Sequence, residues 1–274
     1  MRNLLSAGFS RLWRSRIFWL CVAFLLVVSA GSVLNGYRMS VKYETGFNLD
    51  DYFWSATPYI SITCAVFSSL FFGTEYSDGT LRNKLIVGHK RRDVYLSSFA
   101  VCFTAALIMM AGALVGGLAG LPLPYEWSTS YSTVLVFVAL FILMAASLAA
   151  ICTFIAMLSH SKAVTAVITI LVILGLLMLS AMFYNALQQP ETYSDMIVTA
   201  NGIEVGEPMP NPNYVSGVQR DIYEFLIDLL PPAQTMQITA LSVARPVRAA
   251  ACSVALSVIL CIAGVLIFRK KDLK

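Results

Sequence analysis

Charge is what this sequence lacks most. Only 12% of its 274 residues are Asp, Glu, Lys or Arg, while 58% are hydrophobic. A soluble domain of ordinary composition carries roughly 25% charge to cover its surface, so a water-soluble enzyme or binding module is excluded. No G-x-x-x-x-G-K-[ST] phosphate loop occurs, and the chain is not expected to hydrolyse ATP by that route. Six cysteines are present (Cys21, Cys64, Cys102, Cys152, Cys252 and Cys261), all inside apolar stretches and none in a C-x-x-C pair. They read as small apolar packing residues, not as disulfides, metal ligands or nucleophiles. His89 and His160 stand alone, without partner spacing for metal binding or acid–base work. The chain is therefore expected to carry no catalytic residue, no metal and no cofactor of its own.

What is present is six long runs free of Asp, Glu, Lys, Arg and His: 17–34, 55–73, 96–120, 132–158, 163–187 and 249–268. Roughly 20 helical residues cross a hydrocarbon core of ~30 Å. Backbone groups in lipid must be bonded within their own segment, so the runs are read as helices, not strands. The first run follows arginines and precedes Ser29, Ala30 and Gly31, as in a signal peptide. Its leader and its apolar stretch are both longer than a signal peptide's, and it is expected to be an uncleaved crossing. The predicted fold is an all-α polytopic membrane protein.

Six crossings place both termini on one side, with segments 1–16, 74–95, 159–162 and 269–274. These hold fourteen Lys and Arg against four acids, a net +10; the opposite loops hold five against eleven, a net −6. Lys and Arg are retained in the cytoplasm, so both termini are expected there, in a cell membrane. The basic pI of 8.7 then reflects topology and is no sign of nucleic-acid binding. In the leader, Leu5, Phe9, Leu12 and Trp13 recur at helical spacing, and Arg2, Ser6, Ser10, Arg11 and Arg14 fall mostly elsewhere on the wheel. That pattern predicts an amphipathic helix over 1–16 lying in the membrane interface.

The crossings themselves contain no ionisable group of the kind ion-coupled transporters use. If the protein moves a solute uphill, the energy is expected to enter from another polypeptide. Gly112, Gly116 and Gly120 form a small-residue ridge that lets helices approach closely, either within one subunit or at a dimer seam. Pro58, near the outer end of the second run, is expected to kink it.

The most polar stretch among the crossings is 74–95, with eight charges. Asp78, Gly79 and Thr80 form a helix-start cluster, good helix formers follow over 81–87, and Gly88 is a helix stop followed by basic residues. A helix of about eight residues spans only ~12 Å and is marginal alone in water. Leu81 and Leu85 share a face that Ile86 and Val87 extend. This patch needs cover from the membrane surface, the rest of the chain or a docked partner.

Glu75-Tyr76-x-x-Gly79-Thr80-Leu81-Arg82-Asn83-Lys84-Leu85-Ile86-x-Gly88-x-x-Arg91 resembles the cytoplasmic loop of ABC-2 type exporter permeases. Lys90 and Arg92 make it more basic than many relatives. The resemblance implies a coupling helix that docks in a groove on a separate nucleotide-binding ATPase subunit, where ATP and magnesium would bind. Carried over, Leu81 and Leu85 would be its apolar anchors. Glu75, Asp78, Arg82, Lys84 and Arg91 would be polar contacts or would fix the loop, with Thr80 in the same motif. Gly79 and Gly88 would permit the turns. A second permease chain, identical or different, is implied as well.

Segment 188–248 is acidic and proline-rich. Within it Ile222, Phe225, Leu226, Leu229 and Leu230 trace an amphipathic helix halted by Pro231 and Pro232. In the family this region forms small extracellular helices that partly re-enter the membrane and close an outer gate; a surface helix packed on its own loop is the alternative. The uncharged crossings suit an apolar or amphipathic cargo, and the resemblance implies, among the family's antimicrobial peptides, toxins, drugs and lipid-linked polymers, an amphipathic peptide such as an antimicrobial or toxin peptide. A stand-alone secondary transporter or channel, or a non-transporting sensor or anchor, is the competing class.

Overall fold

The structure is a computed structural model that describes every residue except 160, 195, 200, 201 and 272–274; His160 lies outside the described residues. The amphipathic helix α1 (Arg2–Arg14) breaks at Ser15, whose extended backbone lets its hydroxyl accept from the Phe18 amide and start α2 (Arg16–Tyr43). After one turn, α3 (Asp50–Phe53), come α4 (Thr57–Ser77), the short α5 (Thr80–Ile86) and α6 (Arg91–Gly117). Two further long helices follow, α7 (Tyr131–Leu158) and α8 (Lys162–Leu187), each capped by a serine, Ser130 and Ser161. α9 (Gly217–Leu229), α10 (Pro231–Thr239) and α11 (Pro246–Lys270) complete the chain. Among the described residues six helices are long and apolar enough to cross a membrane: α2, α4, α6, α7, α8 and α11. The protein is an all-α, multi-pass membrane protein.

The helices run beyond the uncharged runs because polar residues continue them out of hydrocarbon; α2 extends through Arg38 and Lys42 to Tyr43. Pro58 does not kink α4. It lies in the first turn, where a missing N–H costs nothing, so it starts the helix.

α4 is the least hydrophobic crossing and the most buried, set among α2, α6, α7, α8 and α10. Trp54, Phe67, Phe72 and Phe141 fill the core around it. The glycine ridge is an internal seam: α6 lies along α2 so closely that a Cβ on Gly116 would sit 2.4 Å from the Leu26 carbonyl oxygen. Another close approach joins α6 to α11, where a Cβ on Gly264 would meet the Tyr95 hydroxyl at 2.1 Å. α8 and α11 leave most of their apolar surface exposed, as lipid-facing helices do.

At the end of the bundle remote from the termini, Asp50 is fully buried. Its Oδ2 accepts from the backbone amides and hydroxyls of Ser128 and Thr129, pinning α3 to the loop before α7. The segment between α8 and α11 holds two small antiparallel pairs, β1 (Thr192–Tyr193) with β4 (Met209–Pro210) and β2 (Met196–Thr199) with β3 (Gly202–Val205), besides its helices. Leu230 is extended, and Pro231 and Pro232 both end α9 and open α10.

Candidate functional site

α5 begins at Gly79, whose φ of 65° lies in the left-handed region where a side chain is strained, and is followed by Gly88 at φ 96°. About two turns of helix are thus held between two residues that reverse the chain. Glu75, in the last turn of α4, anchors it. The Glu75 side chain is only 4% exposed, and its Oε1 accepts from Arg11 Nη1 at 2.5 Å and from Lys84 Nζ at 2.7 Å. The first cation comes from α1 and the second from α5, so one carboxylate ties three helices together. Arg11 also donates to the Phe71 carbonyl and lies over the Phe71 ring, 3.8 Å from its centroid. Burial lowers the Arg11 guanidinium from its ordinary value, and the Glu75 charge opposes that shift. Thr80 Oγ1 donates to the Glu75 carbonyl, closing the turn.

The other side of the loop is tied to the end of α11. Arg91 donates to the carbonyls of Phe268 and Lys271. Lys271 Nζ in turn reaches the Tyr76 hydroxyl at 3.1 Å and the carbonyls of Met157 and Ser159. The ends of α4, α7 and α11 and the start of α6 therefore meet in one network.

The structure separates the sequence-predicted loop residues into two groups. Glu75, Thr80, Leu81, Lys84, Leu85 and Arg91 turn inward or into the hydrogen-bond network; Asp78, Arg82 and Gly88 are exposed. Of the two leucines that the resemblance makes apolar anchors, Leu81 is 2% exposed within the core, and Leu85 is half-buried against that core. The Leu81 and Leu85 part of the patch is covered by the chain itself. Ile86 and Val87, 71% and 78% exposed, are the apolar residues that α5 presents outward, beside Arg82 and Asn83. Amphipathic spacing located the apolar residues but could not say which would be claimed by the fold. Arg11 carried no sequence signal for this role, because its partner is 64 residues away.

At the opposite end, α9 is inverted relative to a surface helix. Ile222 and Phe225 are exposed and Leu226, Leu229 and Leu230 half-buried, whereas Asp228 is buried and bound by Arg248 Nε at 2.5 Å. Glu224 pairs with Arg220 and Arg245. The helix thus does not fold its apolar face onto its own loop. Arg220, Glu224, Asp228 and Arg245 line a cleft of about 150 Å³ with Tyr184, Gln188 and Gln237. α10 is buried beside it, among α4, α7 and α8, with Gln234 donating to the Asp228 and Ala249 carbonyls.

A sequence model of the family described as "ABC-2 family transporter protein" matches residues 4–183, from α1 into α8 and well over half of the chain. No curated protein matches the chain.

Proposed function

The chain belongs to the ABC-2 transporter family, a membrane permease of an ABC transporter, and from that premise we propose that it is the export subunit of a complex powered by a separate ATPase. The observation that carries the proposal is α5: a short helix, rigidly braced by Glu75, that turns Arg82, Asn83, Ile86 and Val87 away from the protein. A braced helix with an apolar tip is suited to transmit a push. Docked on the ATPase, it passes nucleotide-driven closure to α4 directly and to α1 through Arg11. ATP and magnesium bind on that partner, and this chain supplies no catalytic group.

The excess of Lys and Arg supports a cytoplasmic position for both termini and α5, in a cell membrane. α9 and α10 then form the outer gate, and the outward apolar face of Ile222 and Phe225 suits contact with lipid or with a second permease chain, identical or different. Uncharged, methionine- and aromatic-bearing crossings suit an amphipathic peptide as cargo. Isolation in mild detergent from the native membrane tests the partnership. A stoichiometric nucleotide-binding subunit is expected; a chain that transports when purified alone overturns it.

A further inference from the structure

The end of α11 and the start of α6 carry a group of cations that α5 does not use. Lys90 and Arg92 flank the first turn of α6, and Arg269 and Lys270 occupy the last turn of α11; all four are exposed. Among the described residues none of the four takes part in an ion pair. The nearest carboxylate on α6, Asp93, is half-buried and unpaired among those residues. Arg91 holds the two helix ends together by donating to the Phe268 and Lys271 carbonyls, and it lines one cleft with Lys90, Arg92 and Arg269. The cations are therefore fixed in one group by a buttress, and are not scattered along a loose tail.

Their depth identifies the partner. α11 exposes Val258, Ile259, Ile262, Leu266 and Ile267 along the crossing, and Arg269 and Lys270 follow directly. A lipid-facing apolar surface ending in cations brings those cations to headgroup level. The α6 amino terminus adds its positive dipole end to the same spot. We propose that this corner binds the phosphate of an anionic phospholipid, its acyl chains lying against Leu266 and Ile267. A protein partner with an acidic surface would not require an apolar wall one turn below the charges. The proposal stands independently of ATPase docking at α5.

The test uses the full chain in nanodiscs of phosphatidylcholine with and without phosphatidylglycerol, with retained lipid counted by native mass spectrometry. Each neutralised cation is expected to weaken phosphatidylglycerol retention about fivefold. The variant K90Q/R92Q/R269Q/K270Q should then retain no more of it than of phosphatidylcholine. The control R2Q/R14Q, which removes the same kind of charge from α1, should retain it as wild type does. Three results overturn the proposal: equal loss in the control, which would mean diffuse surface charge; displacement by millimolar inorganic phosphate, which would mean a free-anion site; and unchanged lipid retention with loss of a co-purifying protein, which would mean protein docking. A melting curve for the fourfold variant in neutral lipid that overlays wild type shows that misfolding is not the cause.

Discussion

Arg11 and Glu75, 64 residues apart, meet at 2.5 Å in a site where the Glu75 side chain is almost wholly removed from water. Lys84 shares the same carboxylate oxygen. Glu75→Gln keeps the shape but leaves two partly buried cations without their counter-charge. Breaking such a pair costs about 3–5 kcal/mol, and the partial exposure of Arg11 and Lys84 places this case at the lower end. Thermal unfolding of the purified variant should show the loss. A double-mutant cycle of Arg11→Ala with Glu75→Ala should give a coupling energy of about 1–3 kcal/mol. An additive cycle would mean the pair does not brace α5.

The α2–α6 seam makes a second prediction. Gly116→Ala drives a methyl group into the Leu26 carbonyl, a backbone atom that cannot rotate away. Overpacking of this kind costs about 1–3 kcal/mol. Gly31→Ala and Gly175→Ala, inside helices where the added methyl meets nothing, should unfold at or slightly above the wild-type temperature. Equal melting of all three variants would remove the seam from the account.

How much of this was legible in the sequence depends on the range of the interaction. The six crossings were visible because exclusion of charge from hydrocarbon acts on every residue of a run. The turn at Gly79 and the end of α9 before Pro231 were visible because backbone constraints are local; that Pro231 also opens α10 was not. The Asp50 cradle on Ser128 and Thr129 was not visible, and neither was the role of Arg11; each joins distant residues by a contact with no periodicity. Leu81 shows the intermediate case. Its spacing marked it as apolar-facing, but whether the apolar partner was its own core or another subunit is decided by tertiary packing.

The acidic end supplies a third prediction. Asp228 is buried and held by Arg248 at 2.5 Å. Arg248→Ala strands that carboxylate and should lower stability by about 3 kcal/mol. The pair replacement Asp228→Asn with Arg248→Met, which removes both charges, should recover most of it. Unfolding curves of the two variants decide the matter, and a double variant no better than the single would contradict it.

Lys271 gives a pH dependence. Burial pushes its ammonium from 10.5 down to about 8, although its three acceptors each favour the protonated form. With the folded pKa below the unfolded one, the unfolded chain binds more protons between these values, so this residue's contribution to stability rises as pH climbs from about 8 towards 10.5. The difference in melting temperature between wild type and Lys271→Met, followed across that window, should change in wild type's favour. A flat difference would show that the acceptors cancel the effect of burial.

The central claim is that the outward tip of α5, at Ile86 and Val87, is where a separate ATPase engages the permease. A photo-crosslinking amino acid placed singly at 81, 82, 86 or 87 in the native membrane tests it most directly. The account predicts crosslinks to a nucleotide-binding subunit from 82, 86 and 87, none from 81, and at least a tenfold loss of transport-coupled ATP turnover in Ile86→Asp/Val87→Asp with the melting temperature unchanged. Turnover at the wild-type rate in that double variant, or no ATPase crosslink from any outward position, would contradict it.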